Sequence, residues 1–454
     1  MKASNDAALR LADTVGTLDV KAAPTKKLVL RAVIEIDDAD PLDWLSARQQ
    51  HHKIYWRSRD TEYETAGVGA AAVYYLNGPD RFQKVFDHLN EYTLESDSVN
   101  FFGGFSFQSN RDRANEDEGW HQFYDAYFFL PRFELCRTGD KTELAANLLI
   151  DPSRPEEIKN VVTQLNLGAI SGEKTALNPS MMVGRRDFPD RDGWLDLIKK
   201  VEKLFQKGDL QKIVLARRSA LDFDRPFCPW NLLKKLKKQA RNNYLFGLQV
   251  SDGTAFIGAS PERLYLRQGL SLKTEALAGT RPRGKTDQDD IALREELLNS
   301  EKEQREHQFV LDFILDNLIN LCESIKTGGQ TSIFKLERVQ HLYNRIEAVL
   351  KQGVTDSELM AALHPTPAVG GQPRKEALEI LSGLEPFQRG WYAAPVGRVG
   401  RDSTEFAVAI RSALVREKQV NLYAGAGIVE GSVTENEWQE LENKISGFTN
   451  LFKG

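Results

Sequence analysis

Three β-type runs, YLFGLQV (Tyr244 to Val250), TAFIGAS (Thr254 to Ser260) and LYLR (Leu264 to Arg267), follow one another with three residues in each gap. Parallel pairing needs a crossover of roughly a dozen residues or more, so gaps this short commit the runs to antiparallel partners. The habit returns near the C-terminus, where WYAAPVGRVG, TEFAVAIRSALV and VNLYAGAGIV read as strands. Antiparallel sheets, rather than a doubly wound nucleotide-binding sheet, are the frame that the helices must cover. Four helical stretches are legible from apolar spacing. GWLDLIKKVEKLFQKG ends on a glycine, PWNLLKKLKKQA opens on a proline, REELLNSEKEQREHQFVLDFILDNLINLCESI reads as one long stretch, and ENEWQELENKISGFTNLF closes the chain.

The first part of the 454-residue chain is strand-rich and poorer in chemistry. KLVLRAVIEI, GVGAAAVYYL, VNFFGGFSF and AYFFLPRFELCR read as strands, with one helix in DRFQKVFDHLNEY. By composition, residues 1–25 form a mobile lead-in. No Gly/Pro/Ser-rich linker and no repeat divides the rest of the chain, so residues 26–454 are expected to form a single interwoven α+β domain, with 26–190 and 191–454 as its two parts.

Composition excludes several roles. With 41% hydrophobic and 28% charged residues the chain can bury a large core, and a net charge of −5 gives no general attraction to nucleic acid or an anionic membrane. The basic run LLKKLKKQAR reads as the solvated face of an amphipathic helix. No apolar run approaches the length of a bilayer span, and the N-terminus lacks the apolar core of a secretory signal. Cys136, Cys228 and Cys322 are too scattered for a local disulfide framework or a CxxC metal site. A reducing, cytoplasmic setting is the expectation.

Two helices each carry Glu-x-x-Glu: Glu303 with Glu306, and Glu437 with Glu440. Residues three apart share a helix face, so each pair can aim two hard oxygen donors one way, as Mg²⁺ requires. Taken alone, such a pair is more often a solvated face. GASPERL places Glu262 in a tight turn beside apolar neighbours, where burial would raise its pKa towards that of a general acid. AGAGIV offers closely spaced N–H groups at Gly425, Ala426 and Gly427 that could bind an anion, without the further glycine of a dinucleotide fingerprint. Lys212 opens the strand KIVLARR. It reads either as a base made available by desolvation or, from spacing alone, as an edge-strand lysine.

The order of these signals is more specific than any one of them. QKIVLARR, FIGASPERL, TEALAGTRPRG, SEKEQREH, VQHL, HPTPAVGGQPR, EPFQRGWYAAPVG, AIRSALV, LYAGAGIV and EWQELENK occur in the sequence found in the chorismate-utilising enzymes, which this chain resembles from about Lys203 to the C-terminus. The resemblance implies an α+β fold of two large antiparallel sheets packed face to face, with helices outside. It implies Mg²⁺ held by Glu306 and Glu440, with Glu303 and Glu437 acting through water. Arg411, Tyr392, Lys444 and the backbone of Gly425, Ala426 and Gly427 would hold the enolpyruvyl carboxylate side, while Gly279, Thr280 and His341 would line the ring.

Branch choice rests on few positions. Ammonia-using members usually carry glutamine where this chain has Lys212, and aminodeoxychorismate synthases place a lysine in the block where Ala278 stands. Salicylate synthases often have threonine at the position of Ala368. The resemblance is greatest to isochorismate synthases, especially those serving menaquinone synthesis, with siderophore-linked isochorismate synthases, salicylate synthases and a silent chorismate-binding relative as alternatives. It implies Lys212 activating water for attack at C2 and Glu262 protonating the departing C4 hydroxyl. It implies no glutaminase subunit, and a monomer or homodimer.

Overall fold

The computed structural model describes residues 2–18, 27–94, 96–109, 119–151, 156–166, 180–251 and 253–452. Their strands join in one hydrogen-bonded network, antiparallel throughout except where Lys27–Ile36 runs beside Tyr92–Leu94. The network forks at the strand Ala126–Thr138. Ala126 to Phe129 pair with Asn100–Phe105, whereas Phe133 to Thr138 pair with Lys141–Ile150. Pro131, which has no N–H to give to a ladder, stands at the change of partner.

Two long arms leave this fork. One passes from Tyr63–Leu76 through Lys53–Arg57, Tyr244–Ser251, Thr254–Ser260, Ser412–Arg416 and Gln419–Val429 to Lys212–Phe223. The other passes from Asn100–Phe105 through Pro395–Gly400, Ser403–Val408, Arg263–Gln268 and Ser271–Pro282 to Val339–Leu350. The two large sheets of the expected fold are therefore arms of one branched sheet.

Two connections, side by side, carry the chain from arm to arm. Pro261 and Glu262 bridge Thr254–Ser260 to Arg263–Gln268; Ala409 to Arg411 bridge Ser403–Val408 to Ser412–Arg416. They are bonded to each other, the Val408 N–H to the Glu262 carbonyl and the Ala259 N–H to the Arg411 carbonyl, both at 3.1 Å. Glu262 and Arg411 thus sit at the crossing between the arms because antiparallel strands that change sheet must turn there. Arg411 adopts a positive φ of 51°, a conformation that costs a non-glycine residue energy and is held by its surroundings.

Several sequence expectations change. The long helical stretch is two helices, Asp287–Asn299 and Glu301–Leu318, because Ser300 leaves the helical conformation and caps the second by accepting from the Glu303 N–H; Cys322–Thr327 is a strand. The supposed lead-in is in part a helix, Lys2–Gly16, whose Leu11 and Val15 are fully buried against the first part of the sheet. Composition missed it because the signal lies in spacing: Ala8, Leu11, Ala12 and Val15 fall on one buried face. Residues 19–25 of that segment lie outside the described residues. The basic face of helix Pro229–Gln239 is not simply solvated: Lys234 pairs with Asp43, and Lys237 with Asp40 at 3.0 Å and with Glu64. VNLYAGAGIV is the strand expected of it, lying within Gln419–Val429.

Candidate active site

A cleft of about 770 Å³, counting its open mouth, lies between the far ends of the two arms. Of the residues singled out from sequence, Glu262, Gly279, Thr280, Glu303, Glu306, His341, Tyr392, Arg411, Gly425, Glu440 and Lys444 line it. Ala278 and Ala368, the two positions that bear on branch choice, are on its wall as well. Lys212, Ala426, Gly427 and Glu437 are not; they stand behind the lining.

Lys212 is no edge lysine. Its strand is paired on both sides, with Val429 and with Gln372, and its side chain is fully buried. The ammonium reaches Glu306 Oε1 at 2.9 Å, so the cavity meets the carboxylate and the amine lies beyond it. Gly427 is where this approach happens. A Cβ there would come within 2.5 Å of Glu306 Oε1, which explains a glycine inside a strand better than an anion nest does. At Gly425 a Cβ would meet the Tyr392 hydroxyl at 3.1 Å, and the Gly425 carbonyl accepts from Lys444 Nζ at 2.7 Å. The ring of Tyr392 is stacked on Tyr423.

The acidic helices converge as their spacing requires, but each carboxylate has acquired a cation. Glu303 accepts from Arg281 at 2.8 Å, Glu306 pairs with Lys212, Glu437 with Lys302 at 2.7 Å, and Glu440 with Lys444. Burial and the neighbouring Glu306 still raise the Glu303 carboxyl, and burial and Glu440 raise Glu437. For Glu440 burial also pushes upward, but Lys444, Lys302 and Arg411 prevail and hold it below the ordinary range. No three His, Cys, Asp or Glu side chains among the described residues form a ready-made ion cage. The donor set is nonetheless oxygen only, and Glu437 Oε2 is buried without a hydrogen-bond partner among the described residues. Mg²⁺ takes few protein carboxylates and keeps several waters, so these residues fit it.

Glu262 has the contrasting environment. It is 5% exposed, and no described side chain donates to its carboxyl. Burial first, and then the charge of Glu275, lift its pKa to about 8 against the opposing pull of Lys212, Lys444 and Arg59. At neutral pH it carries its proton.

The remaining wall is set by His341 and Arg411. The Nδ1–H of His341 donates to the Gly279 carbonyl at 3.1 Å, with the Thr280 hydroxyl 3.0 Å away. Burial and Arg411 hold its pKa down to about 3, so the ring is neutral and Nε2 is left without a partner among the described residues. Gly279 makes this possible as a bulge with φ of 75°, which shifts the pairing register between Ala278 and Thr280. Arg411 Nη1 donates to the Lys444 carbonyl at 3.1 Å, and no carboxylate among the described residues pairs with it, so its charge is available to an anion.

Residues 16–452 match the chorismate binding enzyme family. The chain belongs to that family. Among relatives, it is 31% identical over 444 residues to the isochorismate synthase MenF of Bacillus subtilis (strain 168), covering 92% of each chain. It is 34% identical over 423 residues to the isochorismate synthase MenF of Pasteurella multocida (strain Pm70), covering 91% of this chain and 90% of that one. The solved structure of MenF, the menaquinone-specific isochorismate synthase from Escherichia coli, superposes with a TM-score of 0.84 at 30% identity, over 98% of this chain and 99% of that one. Anthranilate synthase component I from Streptococcus pneumoniae TIGR4 shares the fold at 20% identity, with a TM-score of 0.62 over 95% and 94% of the chains. The family fold is the expected α+β architecture.

Sequence reading named Lys212 and Lys444 but missed the other two cations. Arg281 and Lys302 lie in the blocks TEALAGTRPRG and SEKEQREH, yet nothing in their spacing says that they latch carboxylates. It also passed over Arg389 in EPFQRG. This buried guanidinium bonds Glu385 at 2.8 Å and donates to the carbonyls of Val214 and Val369, at 2.6 and 2.7 Å, tying two wall segments together.

Proposed function

We propose that this chain is an isochorismate synthase, interconverting chorismate and isochorismate by adding water at C2 and releasing the C4 hydroxyl, and that it serves menaquinone synthesis in the cytoplasm. Its relatives of 30% identity or more over most of the chain bear that activity in their names, and the one observation that carries the chemistry is the protonated carboxyl of Glu262 on the cleft wall.

Hydroxide is a poor leaving group, so the C4 oxygen must gain a proton as its bond breaks; Glu262, buried and still protonated at neutral pH, is the donor. Water is a weak nucleophile, so a base must take its proton at C2, and Lys212 takes that part. Its ammonium is paired with Glu306, so Lys212 must give up a proton and leave that pair before it can accept one from water. Arg411 and Tyr392 hold the enolpyruvyl carboxylate side, with Lys444 fixing the Gly425 backbone. Neutral His341 and the Gly279–Thr280 bulge bound the ring. Glu306 and Glu440 would hold Mg²⁺, with Glu303 and Glu437 reaching it through water; when bound, the ion neutralises and orients the ring carboxylate of the substrate.

Lysine rather than glutamine at 212 favours water over ammonia as nucleophile, and alanine at 278 leaves no amine for a covalent adduct. Incubation with chorismate and Mg²⁺, followed by separation of products, tests the reading. Isochorismate alone is expected. Salicylate with pyruvate, or anthranilate when ammonium is supplied, would contradict it.

A further inference from the structure

Arg59 belongs to the first part of the chain, in the short connection between the strands Lys53–Arg57 and Tyr63–Leu76, far in sequence from every residue that lines the cleft. Its side chain is only 2% exposed. The guanidinium grips Glu275 with two parallel bonds, Nη1 to Oε1 and Nη2 to Oε2, each 2.6 Å. Nη1 also donates to the Pro261 carbonyl. Glu275 Oε1 in turn accepts the backbone N–H of Arg263 at 2.9 Å. Pro261 and Arg263 are the two neighbours of Glu262. One guanidinium therefore fixes the peptide on either side of Glu262, directly on one flank and through Glu275 on the other.

The wider setting makes the clamp stiff. A bidentate arginine–carboxylate pair fixes orientation as well as distance. The Arg59 guanidinium also lies 4.9 Å from the Phe334 ring centroid and 5.6 Å from that of Tyr244, and the Tyr244 hydroxyl accepts from Arg263 Nε at 2.8 Å. Asp60 pairs with Arg263 from the same connection. The carboxyl that all this surrounds makes no hydrogen bond or ion pair of its own to the described residues, so its position depends on its backbone.

We propose that Arg59 is a positioning residue for the reaction: by clamping both backbone flanks of Glu262, the first part of the chain sets where the acid of the second part delivers its proton. This rests on the reading of Glu262 as proton donor. Positioning errors of about 1 Å can cost roughly 100-fold in rate, so a clamp of this kind matters to turnover more than to binding.

The clamp also has a signature in charge. The charged groups acting most strongly on Glu262 are Glu275 on the strand Ser271–Pro282, Lys212 on Lys212–Phe223, Lys444 on the helix Thr434–Thr449, and Arg59 itself, and the Tyr392 hydroxyl interacts with it as well. Arg59 favours the ionised carboxyl and Glu275 the protonated one. The alkaline limb of kcat, where a proton donor is lost, should therefore move up in pH for Arg59→Gln and down for Glu275→Gln. A purely architectural role would not produce shifts of opposite sign.

The test uses the full chain with chorismate and Mg²⁺, and compares Arg59→Lys, Arg59→Gln, Glu275→Gln and the double variant Arg59→Gln/Glu275→Gln, with Glu262→Gln as reference. Arg59→Gln should lose roughly 10- to 100-fold in kcat with KM changed by no more than about threefold, and Arg59→Lys should recover part of the loss. The double variant leaves no unpaired buried charge and guards against misfolding of the single one; it should keep the low kcat while its alkaline limb returns towards that of the unaltered chain. Unchanged kcat in folded Arg59→Gln or in the double variant, or limbs that shift in one direction only, would overturn the proposal. If Glu262→Gln itself turns over at full rate, the proton-donor reading fails; if it is inactive while the Arg59 variants are not, only the clamp fails.

Discussion

The same residue type gathers at two parts of one cleft and meets two different fates. Where the helices Glu301–Leu318 and Thr434–Thr449 converge, four glutamates each have a lysine or arginine partner, and charge gathers. At the crossing between the arms, Glu262 has no partner among the described residues and is kept neutral by burial and by the neighbouring charge of Glu275. A carboxyl becomes an anchor or an acid according to what surrounds it, and the difference is a matter of pairing rather than of burial alone, since Glu437 is even less exposed than Glu262.

Replacing the two groups given proton-transfer roles tests that division most severely. Glu262→Gln keeps size and burial but cannot give up a proton; kcat should fall roughly 10²- to 10⁴-fold with chorismate affinity nearly kept, as measured by product formation and by equilibrium binding. Lys212→Gln should cost as much. Full turnover in either would remove that residue from the chemistry. Next in size, Glu440→Gln should raise the Mg²⁺ concentration needed for half-maximal activity by roughly tenfold or more while leaving the alkaline limb of kcat in place. An unchanged metal titration would dissolve the distinction between anchor and acid.

The smallest effect is on stability. The folded pKa of Glu262, about 8, exceeds the ordinary value of 4.5, so the folded state holds this proton more tightly than the unfolded one. This carboxyl's contribution to stability is fully present below pH 4.5 and is lost as pH rises through about 8. Glu262→Gln carries no such penalty, so its Tm relative to the unaltered chain should be higher at pH 9 than at pH 6. A Tm difference independent of pH would place the carboxyl in ordinary solvent.

How much of this could be read beforehand differs between the two regions. The carboxylate helices were legible because Glu-x-x-Glu is a local pattern that a helix converts directly into a shared face. Glu262 was legible as a buried turn residue, since in GASPERL it follows a run of small residues and a proline after an apolar strand. Partners were not legible. Arg281, Lys302 and Arg59 reach their carboxylates across separations that only the closed sheet creates, from 22 residues for Arg281 to 216 for Arg59 and Glu275. Gly425 and Gly427 were legible as strand residues but not as the places where Tyr392 and Glu306 come close, which only the folded chain creates, and Ser300 hid a helix boundary inside continuous helical periodicity. The split of one branched sheet into two arms depends on a partner change at Pro131, which no local pattern announces.

The central claim is that one glutamate stays protonated in a cleft whose helix-borne carboxylates are each paired with a cation. Infrared difference spectra of the unaltered chain minus Glu262→Gln, recorded through a pH titration, observe this directly. A protonated-carboxyl C=O stretch that is present at pH 7 and vanishes with a midpoint near 8 is the predicted result. A spectrum in which the Glu262 carboxyl is already ionised at pH 6 would contradict it.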